Sequence, residues 1–390
     1  MSSQLRRQER QFTQKDSTKI ISKKDQYDGP STIYRKYQYL FPCVEGEEKL
    51  MVETPSSEGL LFQRPHKTGS TTMVGILLRL SHNRAKGFKR CKHRAMHGTA
   101  RFYEYGKRDR SRSFLFTIIR DPTKRTISQF FHFDVTAFQV EPTDLSFLRM
   151  ARSSHHNYYL SELSTRQYVP NGTVTSNLDF AQSKGYHSVQ DLEEAKSQSQ
   201  PGLHHLLGRE YQSSNLFGLN YKPDKIIQDI LEDYDFIAIM ERMDESLVAM
   251  QMIFGLTTKE ILYTRARSSG SFSNGWKGRP CFYIMKSFLT PYMKEYFVSE
   301  EWNATIANDL RMYQAASKSL DRTIEALGYD QFQKNLDALR RGLELANKNC
   351  KGRIRLQCDE GGNQVPPSQQ TCYIWSEGCD HECIDELNLE

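Results

Sequence analysis

"FQRPHKTGSTTMVGILLRL", residues 62–80, sets a basic residue and a run of hydroxyls between an apolar strand-like stretch and an apolar helix-like one. "LLFQ" ahead of the turn has the short apolar run of a buried strand, and Met73, Ile76, Leu77 and Leu80 behind it recur at the spacing of one helix face. Strand, turn, helix leaves backbone N–H groups and the positive end of a helix dipole at the turn, which favours an anion. Gly69 lets the backbone approach closely, the hydroxyls of Thr68, Ser70, Thr71 and Thr72 can donate, and Lys67 adds a point charge. The ATP-binding pattern G-x-x-x-x-G-K-[ST] is met only in its last two positions, Lys67 and Thr68; neither glycine stands ahead of them, and His66 occupies the nearer place. One terminal phosphate group suits so short a cradle better than a triphosphate.

The same unit recurs twice. "SFLFTII" (113–119) is β-branched and aromatic and runs into "RDPTKRTISQFFHF" (120–133), where Pro122 suits the first turn of a helix. "YDFIAIMERMDESLVAMQMIFGL" (234–256) follows an apolar strand with Leu247, Met250, Gln251 and Phe254 at helical intervals. Apolar strands alternating with helices predict an α/β fold: a P-loop-like parallel sheet flanked by helices, with ligands beyond the carboxyl ends of the strands. Residues 134–225, polar and carrying the histidine pairs 155–156 and 204–205, are expected to form helices and long loops above the sheet. From Asn303 onward two helical patterns are expected to pack behind the sheet. The organisation is therefore a polar leader over 1–54, one catalytic-sized domain over 55–345, and a Cys-rich tail over 346–390.

The chain has eight cysteines, and Cys350, Cys358, Cys372, Cys379 and Cys383 crowd this tail. Such clustering in a polar segment leans toward disulfides; a zinc site with His381 is the competing reading, without a C-x-x-C pair to support it. The sequons at Asn171 and Asn303 fit a secretory-pathway protein. No apolar run is long enough to span a membrane, and the leader lacks the apolar core of a signal peptide, so membrane association is expected only through an anchor outside this sequence. A net charge of +6 makes an acidic partner plausible without choosing among nucleotide, anionic glycan, nucleic acid and membrane. No recognised nucleic-acid-binding motif accompanies the charge, so nucleic acid is not expected.

At the end of the second strand stands Arg120, with Ser128 two turns into the next helix; an arginine and a serine so placed can converge on a second anion. With both motifs in view, the chain resembles the sulfotransferases that use 3'-phosphoadenylyl sulfate (PAPS). "RPHKTGSTTMVGILLRL" is similar to their loop for the 5'-phosphosulfate, and "IIRDPTKRTIS" to their 3'-phosphate motif. The H-K-T core and "DFIAIMERMDESLVAM" look like the galactose 3-O-sulfotransferases, and R-D-P-x-x-R-x-x-S is also similar to the uronyl 2-O-sulfotransferases. The resemblance implies that Lys67 stabilises the bridging oxygen as the sulfuryl group leaves and that Thr68, Gly69, Ser70, Thr71 and Thr72 cradle the 5'-phosphate. It also implies that Arg120 and Ser128 bind the 3'-phosphate. "KGRP" resembles a loop that closes over the 3'-phosphate, which would add Lys277 and Arg279.

These enzymes keep their base between the two motifs, where "KRCKHRAMHGTARFYEYGKRDR" offers His97 first and His93 second, with Glu104 as a carboxylate alternative. A neutral imidazole suits proton abstraction from a sugar hydroxyl near neutral pH. His97-Gly98 resembles the H-G of the uronyl enzymes, while Arg101-Phe102 stands two residues later than the Arg-Phe pair of the galactose enzymes. Lys and Arg crowd residues 84–112; a charge run is ordinarily a solvated face, yet here it is expected to give a basic rim that attracts cofactor and acidic glycan. The resemblance thus implies PAPS-dependent O-sulfation of a carbohydrate, without a metal, in the Golgi lumen. A non-catalytic glycan-binding protein that keeps the fold is the first rival, and a nucleotide kinase the second.

Overall fold

Four parallel strands, β1 (Gly59–Gln63), β2 (His93–Met96), β3 (Ser113–Ile119) and β4 (Phe236–Ile239), pair in the order β2-β1-β3-β4. The computed structural model describes residues 58–85, 93–153, 157–166, 222–264, 269–273, 281–373, 377–379 and 381–389. Every residue of β1 and β3 is buried, which is why both read as unbroken apolar runs and not as alternating ones. Phe62 and Phe116 are register partners and stack with ring centroids 4.8 Å apart, so the two central strands are locked side chain to side chain. The α/β architecture expected from the sequence is the one present. β2 is an addition: "HRAM" is too short and too polar to announce a strand.

Each strand–helix unit forms where the pattern puts it. β1 feeds α1 (Ser70–Ala85), and β3 feeds α2 (Pro122–Gln129), with Pro122 in its first turn and the Asp121 carboxylate accepting from the Lys124 N–H at 2.9 Å as its cap. α2 then widens into a π-helical segment, Phe130–Ala137, closed by the Phe138 N–H on the Phe133 carbonyl at 2.8 Å. α3 (Asp144–Ser153), α4 (Tyr158–Leu163) and α5 (Pro223–Asp233) precede β4, and α6 (Met243–Phe254) follows it. A two-residue pair of strands, β5 (Phe272–Ser273) and β6 (Phe282–Tyr283), leads to α7 (Pro291–Tyr296), the long α8 (Glu300–Leu327) and α9 (Tyr329–Asn349).

α8 is the longest helix among the described residues. It packs against β4, and its amino-terminal half also continues beyond the strands' carboxyl ends, where Trp302 Nε1 donates to Thr123 Oγ1 at 3.0 Å. A second apolar cluster of Phe130, Phe131, Phe147, Met293 and Trp302 supports that overhang. Arg166, before the 167–221 stretch, donates to Asp229 at 2.7 Å and Asp233 at 2.9 Å, both on α5, which begins right after Lys222.

The six cysteines among the described residues form disulfides, which removes these as zinc ligands: Cys350–Cys383, Cys372–Cys379, and Cys281–Cys358, the last reaching outside the tail. The tail folds back onto α1 through α10 (His381–Glu386): Asn83 Nδ2 donates to Asp385 at 2.9 Å and Lys259 Nζ to the Asp385 carbonyl at 2.7 Å. Among the described residues no helix is long and apolar enough to cross a membrane.

Candidate active site

The chain places β2 on one side of β1 and β3 on the other, so the strand order switches at β1 and a crevice opens at the carboxyl ends of β1 and β3. Both anion motifs leave the sheet there. Lys67 and Gly69 take left-handed backbone angles, φ 66° and 83°. For a lysine that conformation costs about 1–3 kcal/mol, and the surroundings must hold it. Three contacts do so. Arg120 Nη1 donates to the Lys67 carbonyl at 3.3 Å, the His66 N–H donates to the Tyr158 hydroxyl at 2.7 Å, and Thr68 Oγ1 donates to the Pro65 carbonyl at 2.9 Å. At Gly69 a Cβ would lie 2.1 Å from Met240 Sδ, at the end of β4, so the cradle passes directly under that side chain. The amides of Gly69, Ser70 and Thr71 donate to no protein group among the described residues, while Thr72 N–H turns back to the Gly69 carbonyl at 3.2 Å. Free amides converging at the start of a 16-residue helix are the physical requirement for an anion cradle.

Arg120 ties the two motifs together. Besides holding Lys67, its guanidinium lies 3.8 Å from Glu241, which also accepts from the Asp121 N–H and the Tyr313 hydroxyl at 3.2 Å each. Burial, reinforced by the Glu241 charge, pushes the Tyr313 phenol up, so it stays a donor. Ser128 sits half-buried on α2, and no hydrogen bond joins it to Arg120. Lys277 and Arg279, and the sequon at Asn171, lie outside the described residues.

Two adjacent tyrosines of α4 span the crevice. Tyr158 holds the first motif through His66, and the Tyr159 hydroxyl donates to the Arg120 carbonyl while accepting from its N–H at 3.0 Å. Asp309 of α8 fixes both tyrosines by accepting from their backbone amides at 2.9 and 2.7 Å. Burial raises the Asp309 carboxyl to about 6, with nearby Arg125 and those amides pulling the other way. The Arg125 guanidinium lies 3.7 Å over the Tyr158 ring.

The histidines separate by position. His93 pairs with Leu60 at the amino end of β2, whereas His97 follows Met96 and emerges at the carboxyl end, about 13 Å further along at the rise of a strand. His97 stacks on His66 with ring centroids 4.1 Å apart and planes within 1°, and the Phe133 edge closes the other side of His66. Because His66 directly precedes Lys67, the stack sets His97 beside the cradle. His97 Nδ1 lies 2.8 Å from the Arg64 carbonyl. A carbonyl only accepts, so Nδ1 carries the hydrogen and the neutral ring keeps its basic lone pair on Nε2. Glu104, by contrast, is exposed and paired with Lys107 at 2.6 Å.

Of the segment expected to give a basic rim, residues 86–92 lie outside the described residues, and several arginines of the rest have partners. Arg108 is buried against Asp235 at 3.1 Å, Arg110 pairs with Asp233 at 2.6 Å, Arg112 with Glu58 at 2.7 Å, and the Arg94 guanidinium covers the Tyr103 ring at 4.5 Å. These contacts fasten the 97–112 segment to α5 and the sheet, while Lys107, Arg110 and Arg112 still face solvent. Sequence reasoning missed His66, Tyr158, Tyr159, Glu241 and Asp309; "NYYL" is the nearest signal, a polar-tipped pair in an otherwise apolar turn.

An anion-suited turn after β1 and an arginine at the end of β3 together form a candidate anion site on a parallel α/β sheet. Residues 53–206, which hold the turn, His97, Arg120 and Ser128, match the model of the Sulfotransferase family, and this match supports a member of that family and sulfuryl transfer as its reaction. Neither curated proteins nor solved structures gave a match.

Proposed function

We propose that this protein transfers a sulfuryl group from PAPS to a hydroxyl of a carbohydrate acceptor. The observation that supports the reading is the His66–His97 stack, in which the candidate base lies against the residue next to Lys67. In the reaction the acceptor oxygen bonds to sulfur as the bond between sulfur and the 5'-phosphate oxygen breaks in line. His97 Nε2 takes the hydroxyl proton, and the departing electron pair stays on the phosphate oxygen beside Lys67. Positioning and charge neutralisation supply most of the acceleration in such group transfers, as in phosphoryl transfer. The amides of Gly69 to Thr71 suit the 5'-phosphate, and Arg120, with Ser128, suits the 3'-phosphate one strand over. Lys277 and Arg279 are proposed, by resemblance alone, as further cations for the latter.

The three disulfides among the described residues agree with synthesis in an oxidising compartment, and the Golgi lumen is the proposed location. The test is transfer of label from PAPS to an array of desulfated glycans by the wild type, Lys67→Ala and His97→Ala. Transfer by the wild type that falls at least a hundredfold in each variant is expected. Binding of adenosine 3',5'-bisphosphate without transfer to any glycan would identify a binding protein instead.

A further inference from the structure

The disulfide-closed tail reaches the candidate base through a short series of contacts. Cys372–Cys379 closes a ring that carries Glu377 and Gly378, braced by the Tyr373 N–H on the Glu377 carbonyl at 3.0 Å. Gly378 lies against α1 at Gly75 so closely that a Cβ on Gly75 would be 2.6 Å from the Gly378 nitrogen. From this seat the Glu377 carboxylate binds the Arg64 guanidinium, and the two side chains are only 8% and 10% exposed. The Arg64 backbone faces the other way. Its N–H donates to the Met96 carbonyl at 3.0 Å, and its carbonyl accepts from His97 Nδ1 at 2.8 Å.

We propose that Glu377 is a positioning residue for His97: by anchoring Arg64 it fixes the carbonyl that sets the His97 tautomer. The proposal rests on the reading of His97 as the base. A buried guanidinium needs a partner, and Glu377 is the carboxylate that Arg64 meets among the described residues. Without that partner the Arg64 side chain must turn toward water. Pro65 and the left-handed Lys67 follow within three residues, so the turn has little slack to absorb the movement without displacing the Arg64 carbonyl. A His97 ring released from that carbonyl is free to hold its hydrogen on Nε2, where it cannot accept a proton. The tail is then part of the catalytic apparatus, more than a covalent brace on a finished domain.

The test uses the full chain labelled with 15N-histidine, comparing wild type, Glu377→Ala, the isosteric Glu377→Gln, and Cys372→Ser/Cys379→Ser, with His97→Gln to assign the resonance. The wild-type ring is expected as the Nδ1–H tautomer. In Glu377→Ala that signal should shift to Nε2–H or to a mixture, with kcat for transfer from PAPS reduced about tenfold and the donor KM changed less than threefold. Glu377→Gln, which keeps the shape and one hydrogen bond, and the double serine variant should move both readouts the same way by about threefold. An unchanged tautomer in a folded variant overturns the proposal whatever happens to kcat, as does an unchanged kcat. Because the tautomer is read without turnover, failure of the wild type to use PAPS would sink the proposed function while leaving this test intact.

Discussion

Replacing Gly69 by alanine tests whether the cradle's shape is imposed by the fold. Two costs can be worked out from the structure. At φ 83° a residue with a Cβ costs about 1–2 kcal/mol relative to glycine. The new methyl would also stand 2.1 Å from Met240 Sδ and 3.0 Å from its Cε, forcing that thioether off its rotamer for about 0.5–1.5 kcal/mol more. Gly69→Ala should therefore lose about 2–3 kcal/mol in urea unfolding. Calorimetric titration with adenosine 3',5'-bisphosphate should show at least tenfold weaker binding, because the amides of Gly69 to Thr71 no longer converge. Met240→Ala provides the internal control: in the double variant only the steric part returns, giving a coupling of about 1 kcal/mol, and the backbone part remains. A Gly69→Ala protein with wild-type stability and wild-type affinity would refute the reasoning, since the turn would then be neither strained nor confined.

Tyr159→Phe removes the hydroxyl that bridges the Arg120 N–H and carbonyl; it should cost about 1–3 kcal/mol of stability and raise the donor KM more than it lowers kcat, and unchanged donor affinity would argue against α4 as the spacer. Asp134 is buried and its carboxyl is raised to about 7 from 3.8, so the folded state binds a proton that the unfolded state releases, and stability from this group falls as pH rises between those values. Asp134→Asn should thus stabilise by about 4 kcal/mol at pH 8 but only about 1–2 kcal/mol at pH 5; equal gains in urea titrations at the two pH values would contradict the assignment. Removing Cys281–Cys358, whose partners are 77 residues apart, should cost about 4–5 kcal/mol by loop entropy, and about 1 kcal/mol more than removing Cys350–Cys383, which spans 33, as read by thermal unfolding.

What was legible in the sequence is what short-range pattern encodes. β1, β3 and β4 with their helices announce themselves because each strand is buried on both faces and each helix starts at a turn of distinctive chemistry: Lys67-Thr68-Gly69, Asp121-Pro122, Met243-Asp244. Lys67 and Arg120 could be paired because adjacent parallel strands must deliver their carboxyl ends to one place. His97 could be preferred over His93 only by resemblance, since the four residues of β2 that set them at opposite ends have no apolar period. The tyrosine pair of α4, Glu241 and Asp309 were invisible for another reason. Each acts on a group more than 35 residues away in sequence, through one or two hydrogen bonds, and no local spacing records such a contact. The basic segment was legible only as charge: that Arg108 is buried against Asp235 while Arg110 stays exposed beside Asp233 cannot be read from sequence.

Arg166 on one side of residues 167–221 and Lys222 on the other converge on α5, whose Asp229 and Asp233 take the guanidinium. Both carboxylates stand on the helix that leads into β4, the strand next to the one that delivers Arg120, so Arg166 ties the end of the α4 segment to the sheet itself.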